Sequence, residues 1–197
     1  MTRARANPLP REYKSLADAE LVARACEELP YRTRAYEELM QRHDRLIFGI
    51  CLRLVGNRQD AEDLTQDIML KLFSKLGSFE GRSSFKTWVV QVTRNACKDW
   101  LKKKAISKHY AAALANEPQE QSTIEYREDC LIGLLKQLSP ADREILTLRF
   151  VADLSLQEVA ETTELGLSAA KMRLYRAIER LKELAVDTFG DEIKTEQ

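Results

Sequence analysis

Proline stands at only five of 197 positions, 8, 10, 30, 118 and 140, so neither 31–117 nor the chain after 140 meets an obligate helix breaker. Glycine is nearly as sparse. The seven glycines are scattered, and no P-loop, G-x-G-x-x-G or H-E-x-x-H pattern forms, which removes the usual nucleotide-cradling loops and the zinc-protease helix. Cys26, Cys51, Cys97 and Cys130 lie far apart without a C-x-x-C, and His43 and His109 are the only histidines. No zinc site or disulfide framework is expected; four reduced, mostly core thiols are. No cofactor or metal is expected.

Long apolar runs are missing too. The longest, 46–52, is closed by Arg53 and falls far short of the roughly 20 residues that span a bilayer, so no membrane insertion is expected. The basic start, residues 1–8, has no apolar stretch behind it. That predicts no secretory signal and a cytoplasmic protein. Neither charge sign is in excess, with 31 Lys+Arg against 31 Asp+Glu. This excludes a uniformly basic chain but leaves room for charge segregated along it. The length suits one ordinary domain or two small ones.

What is present is helical grammar. Tyr36, Leu39, Met40, His43, Ile47, Ile50, Cys51 and Leu54 form one stripe on a 3.6-residue period, and Gly56 is placed to close that helix. Ser15-Leu16-Ala17-Asp18 opens a short helix with Leu21, Val22, Ala25 and Leu29 on its face. Asp60-Ala61-Glu62-Asp63 opens another that runs to Leu76. A further helix starts near Ser83-Ser84 and buries Phe85, Trp88, Val89, Val92 and Ala96. No stretch alternates with period two over strand length, so the chain is read as all-α.

From Lys104 the periodicity fades, and residues 116–123 hold a proline and no aliphatic or aromatic side chain. The expected division is a domain at 13–104, a linker at 105–126 with some helix around 111–115, and a smaller helical domain at 127–187. The second begins with the stripe Leu131, Leu134, Leu135 and Leu138. Ser139-Pro140-Ala141-Asp142 places a capping serine before proline, and Ser155-Leu156-Gln157-Glu158 is a capping box. A third start at Ser168 follows a short stretch, giving a helix at 156–163, a tight turn and a helix at 168–185, the tandem of a helix-turn-helix. With Leu174, Ile178, Leu181 and Ala185 inward, Lys171, Arg173, Arg176 and Arg180 stay outside. Docking in a DNA major groove and a merely solvated basic face both fit that pattern.

A second basic stretch lies earlier. Arg82, Lys86, Arg94, Lys98, Lys102, Lys103 and Lys104 are opposed only by Asp99 between 82 and 104. Phe79, Phe85, Trp88 and Trp100 are interleaved with it. They could stack on single-stranded bases, although the helical positions of Phe85 and Trp88 equally suit core packing. Phe79 differs in belonging to a loop of glycines and small polar residues, 77–84.

These residues resemble a known family. Ala61-Glu62-Asp63-Leu64-Thr65-Gln66-Asp67, Phe79-Glu80-Gly81-Arg82-Ser83-Ser84-Phe85-Lys86-Thr87-Trp88, Val92-Thr93-Arg94-Asn95 and Asp99-Trp100-Leu101 are similar to the core-binding and promoter-melting segments of bacterial extracytoplasmic-function (ECF) sigma factors. Leu138-Ser139-Pro140-Ala141-Asp142-Arg143-Glu144, Ser155-Leu156-Gln157-Glu158-Val159-Ala160 and Lys171-Met172-Arg173-Leu174-Tyr175-Arg176-Ala177 are similar to that family's final helix-turn-helix. The family often has glycine where Glu164 stands and Gly-Thr-Val near Ser168-Ala169-Ala170, departures that bear on where the recognition helix begins.

The resemblance implies a non-enzymatic transcription factor with core RNA polymerase (β′ clamp helices and β flap) and promoter DNA as partners, and the family commonly has an anti-sigma factor. It assigns Asp60, Asp63, Gln66, Asp67 and Leu70 to polymerase binding, though acids at 60–63 also suit a helix N-terminus by themselves. It assigns Ser78, Phe79, Glu80, Gly81, Arg82, Ser83, Ser84, Lys86, Arg94, Asn95, Lys98 and Lys102 to the −10 element's non-template strand. Ser168, Ala169, Lys171, Met172, Arg173, Tyr175 and Arg176 are assigned to −35 duplex. The linker, with Glu117, Glu120, Glu125, Glu128 and Asp129 against Arg127, would run along the family's RNA and template path. Two rival classes remain: a helix-turn-helix regulator that never joins the polymerase, and a metal-dependent nuclease built on Asp60, Glu62, Asp63 and Asp67.

Overall fold

In the computed structural model, residues 11–112 and 126–193 are described. Among them there are nine helices and no strand: α1 (Arg11–Lys14), α2 (Asp18–Glu28), α3 (Arg34–Val55), α4 (Arg58–Lys75), α5 (Phe85–Ala112), α6 (Tyr126–Gln137), α7 (Pro140–Leu146), α8 (Leu156–Thr163) and α9 (Leu167–Ile193). The all-α reading holds.

Helix α3 is the central post of the first group. Its expected stripe is buried throughout, with Leu39, Ile47 and Ile50 fully enclosed, and full burial of each such side chain contributes about 1.5–3 kcal/mol. Ile68 and Leu72 of α4, Val89 of α5 and Leu21 of α2 pack around it. His43 belongs to this stripe because Asp18 meets its Nε2 at 2.8 Å. Arg42 beside it bonds Asp18, Glu38 and the carbonyl oxygens of Tyr13, Lys14 and Leu16, fastening the first turns to α3. Gly56 ends α3 in the left-handed conformation, φ 76°, with its N–H on the Leu52 carbonyl.

Helix α4 starts two residues before Asp60, because the Asn57 side chain accepts the Asp60 amide at 2.9 Å and caps it. It ends at Lys75, and Leu76–Ser78 is a 3-10 turn. Helix α5 runs past Lys104, where the apolar pattern fades, to Ala112. Residues 113–125, with Glu117, Glu120 and Glu125, lie outside the described residues, as do the side chains of Arg127, Glu128 and Asp129.

In the second group Ile132, Leu134, Leu135 and Leu138 are buried, while Leu131, expected in that stripe, is exposed. Ser139 caps α7 by accepting the Asp142 amide, with Pro140 at the first helical position. Ser155 and Glu158 form the expected reciprocal box at α8. An unforeseen π turn, Thr147–Val151, follows α7, with the Ala152 N–H reaching back to the Thr147 carbonyl. Such an inserted residue re-aims the side chains around it. Phe150 faces solvent while Val151 packs against the core.

That turn sets the second group against the first. A Cβ on Gly49 of α3 would lie 3.2 Å from Val151 Cγ1, and one on Gly56 would lie 2.7 Å from Lys136 Cε. Arg143 donates to the Leu135, Lys136 and Leu138 carbonyl oxygens at the end of α6 and to Leu54 at the end of α3. Desolvation there lowers its pKa from the ordinary arginine value. The buried residues form one cluster continuous across both groups. Of the four thiols, Cys51 and Cys97 are core residues, Cys130 is half-buried and Cys26 is exposed. The expectation of mostly core thiols is thus met by two.

Candidate functional site

Helix α4 divides cleanly. Ala61, Leu64, Thr65, Ile68 and Leu72 face α3, and Thr65 returns its hydroxyl to the Ala61 carbonyl at 2.7 Å. The residues between them, Asp63, Gln66, Asp67 and Leu70, share the open face, as spacings of three and four demand. Leu70 is 70% exposed on it. Asp60 stands apart: half-buried, its carboxylate accepts Lys104 Nζ at 2.5 Å. Glu62 is paired with Arg58. The four acids therefore do not converge, and among the described residues no group of three or more His, Cys, Asp or Glu is arranged to hold a metal. An acidic strip with one apolar knob is suited instead to a basic protein helix.

The loop between α4 and α5 is held at both ends. Ser78 donates to the Lys75 carbonyl at 2.6 Å, and Ser84 caps α5 by accepting the Thr87 amide at 3.0 Å. Gly81 sits at φ 70°, open to an αL turn. Glu80 and Arg82 pair at 2.5 Å in solvent, beside exposed Ser83. Phe79 is half-buried rather than free. Its ring meets Phe85 edge-on at 5.6 Å and Trp88 at 5.3 Å, an arrangement that fixes the loop's base. Phe85 is core, and Trp88 is partly so.

The cations of α5 are not all available. Asn95 and Lys102 are exposed. Arg94 is only 6% exposed, and its Nε bonds Glu144 of α7. Lys98 Nζ reaches the same Glu144 oxygen at 3.1 Å. Lys86 Nζ lies 4.0 Å from Asp153, which follows the π turn, and Thr87 donates its hydroxyl to Glu158 of α8 at 2.9 Å. The Glu158 carboxyl is held below its ordinary range by the Ser155 amide and hydroxyl and by Thr87. Glu144, Asp153 and Glu158 are the site residues that sequence reasoning missed. The capping box marks Glu158 only as a cap, and nothing local marks the three as partners of α5, since each contact crosses the linker.

In the helix-turn-helix, Glu164 ends α8 at φ 59° and the Leu165 N–H returns to the Ala160 carbonyl. Helix α9 begins at Leu167, one residue before Ser168. Ala170, Leu174 and Ala177 are buried, and Ile178, Leu181 and Leu184, rather than Ala185, pack beside them. Ser168, Ala169, Lys171, Met172, Arg173, Tyr175 and Arg176 are all exposed. Ala169, Met172, Arg173, Tyr175 and Arg176 line an open groove with Asp142. A glutamate in the left-handed region costs about 1–2 kcal/mol, partly offset in glycine by its freer unfolded chain. Glu164→Gly is expected to stabilise the protein by about 0.5–1 kcal/mol, a melting temperature about 1–4 °C higher; thermal unfolding by circular dichroism checks this.

Comparison with known proteins agrees with this arrangement. The Sigma-70 region 2 model matches residues 39–106 and the Sigma-70, region 4 model matches 128–181. The RNA polymerase sigma factor CarQ of Myxococcus xanthus is 31% identical over 155 residues, covering 76% of this chain and 88% of that protein. The ECF RNA polymerase sigma factor SigW of Bacillus subtilis is 23% identical over 164 residues, with the same coverages. Among solved structures, the sigma factor RpoE of Bartonella quintana, in complex with the anti-sigma factor NepR, superposes with a TM-score of 0.66 at 24% identity, covering 76% of this chain and 95% of that one. CnrH, in complex with the cytosolic domain of CnrY, gives 0.61 at 23%, covering 85% and 96%. These two share the fold. With both regions matched in order and a relative of this identity aligned over most of its length, the chain belongs to the ECF group of the sigma-70 family of RNA polymerase sigma factors.

Proposed function

We propose that this sigma factor docks on the β′ clamp helices of core RNA polymerase through Asp63, Gln66, Asp67 and Leu70, with Asp60 at the margin, held by Lys104. Its two helical groups divide the promoter. The loop 78–84 captures an extruded base of the −10 non-template strand, and Lys86, Arg94, Asn95, Lys98 and Lys102 follow the strand backbone. The α9 face from Ser168 to Arg176 reads −35 duplex while the second domain, 127–187, rests on the β flap. The linker 105–126 joins it to the first domain, 13–104. The observation that carries this reading is the pair of exposed faces, one mixed acidic and apolar on α4, one basic on α9, each within its matched sigma region.

Melting by capture exchanges unstacking, a few kcal/mol, for stacking and hydrogen bonds to the freed base. No nucleotide hydrolysis is needed, and the protein acts as a non-enzymatic initiation factor in the cytoplasm. Among the described residues no helix is long and apolar enough to cross a membrane. An anti-sigma factor is a further proposed partner, supported by the RpoE complex with NepR.

Run-off transcription with core enzyme and a promoter library tests the whole reading: discrete start sites sharing −35 and −10 sequences are expected, and no template-specific start would overturn it. In the same assay Ser78→Ala should change the −10 preference, because its hydroxyl holds the end of the capture loop. Phe79→Ala should do so more strongly, since it removes the ring on which the loop is based. Equal loss on every template would instead assign these residues to stability.

A further inference from the structure

The interior of the first helical group holds two nucleophilic side chains in direct contact. Cys51 of α3 and Cys97 of α5 are both 0% exposed, and their sulfur atoms lie 3.7 Å apart, with the Cys97 S–H donating to the Cys51 sulfur. The other two thiols are placed differently. Cys26 is exposed, its S–H turned to the Leu76 carbonyl oxygen at 3.9 Å, and Cys130 is half-buried on α6. We propose that Cys51 and Cys97 are an oxidation site: hydrogen peroxide converts the two thiols into one disulfide, which ties α3 to α5 inside the folded protein. The bond forms whatever roles α4, α5 and α9 have at the promoter.

The pair is set up for both steps of that reaction. The hydrogen bond from Cys97 lowers the Cys51 pKa from the ordinary thiol value, with Thr65 adding to the effect, whereas that bond together with burial raises Cys97. Cys51 therefore ionises first, and Cys97 keeps its proton. The Cys51 thiolate attacks one peroxide oxygen, the O–O bond breaks, and the departing hydroxide takes up the proton released by Cys51 to leave as water. The Cys97 sulfur then attacks the Cys51 sulfenic acid, the S–O bond breaks, and a second water leaves with the Cys97 proton. Two thiols and one peroxide give one disulfide and two waters, the sulfurs losing the two electrons that the peroxide gains.

Closing the sulfurs from 3.7 Å to the roughly 2.05 Å of a disulfide needs small side-chain rotations, because α3 and α5 are already packed together. Hydrogen peroxide is little larger than water. It reaches the pair through local openings that exclude a bulky reagent. The two residues are 46 apart in sequence, so the bond constrains a long loop of the unfolded chain and stabilises the folded one.

The test uses the full-length Cys26→Ser/Cys130→Ser chain, in which only one intramolecular disulfide can form. Native protein is treated with hydrogen peroxide, then unfolded and blocked with N-ethylmaleimide, and its peptides are mapped by mass spectrometry. Expected are the loss of two hydrogen masses, a linked peptide joining Cys51 to Cys97, and a melting temperature about 5–15 °C above that of the reduced chain, all reversed by dithiothreitol. In native wild type, maleimide should label Cys26 and leave Cys51 and Cys97 free to react with peroxide. Cys51→Ala and Cys97→Ala, each in the double-serine background, should abolish the linked peptide and the rise in melting temperature. Recovery of both thiols as maleimide adducts, or as sulfinic acids without a linked peptide, overturns the site. So does a linked peptide with an unchanged or lower melting temperature, since the bond would then have formed in unfolded chains.

Discussion

Asp67→Lys is expected to lower affinity for core RNA polymerase by about a hundredfold, close to 3 kcal/mol, since a like charge set against a basic partner costs several kcal/mol. Asp67 is exposed, and among the described residues no helix packs on its face of α4. Helix content by circular dichroism should therefore stay at the wild-type value, which ties the loss to docking. Leu70→Ala should cost about tenfold by removing an apolar anchor already 70% open to solvent. Asp60→Lys is a poor substitute. Its carboxylate is in the first turn of α4 and paired with Lys104, so the reversal also weakens the fold. Native affinity in Asp67→Lys, measured by titrating labelled protein with core enzyme, would move the docking surface off α4.

Arg173→Ala/Arg176→Ala should reduce initiation from −35-dependent promoters by tenfold or more, on the basis of about 1–3 kcal/mol for each lost base contact. Both guanidinium groups are exposed at the groove lined by Ala169, Met172 and Asp142. Neither belongs to the Ala170, Leu174, Ala177 stripe that holds α9 in place, so stability should be unaffected. Where the two arginines contact phosphates instead, the plot of log affinity against log salt becomes shallower by about 0.9 per contact. Measuring duplex binding at several salt concentrations separates base reading from backbone anchoring. A promoter profile identical to wild type would argue against α9 as the reader.

Much of this fold was legible because its signals are local. The stripe from Tyr36 to Leu54, the Gly56 stop, Ser139 before Pro140 and the Ser155–Glu158 box all act within one or two turns, and all appear as expected. The open face of α4 was legible for the same reason, since 63, 66, 67 and 70 must align on any helix. The misses are longer in range or lack a stripe. Residues 105–112 continue α5 without an apolar pattern to mark them. The π turn leaves no periodic trace, and the inward position of Ile132 in place of Leu131 depends on how α6 meets α3 and α9. Arg94 was grouped with the other cations of 82–104, because arginine seldom lies inside unpaired. Its partner Glu144 stands 50 residues away, a distance over which no pattern in one sequence can be followed.

The extension of α5 beyond Lys104 bears on promoter geometry. Each residue of 105–112 advances the chain by about 1.5 Å in a helix rather than the roughly 3.4 Å of an extended tether. Eight such residues shorten the maximum reach between the two reading heads by about 15 Å, the rise of four or five base pairs of duplex. The spacing permitted between upstream and downstream promoter elements is thereby expected to narrow, through eight residues to which neither element is assigned.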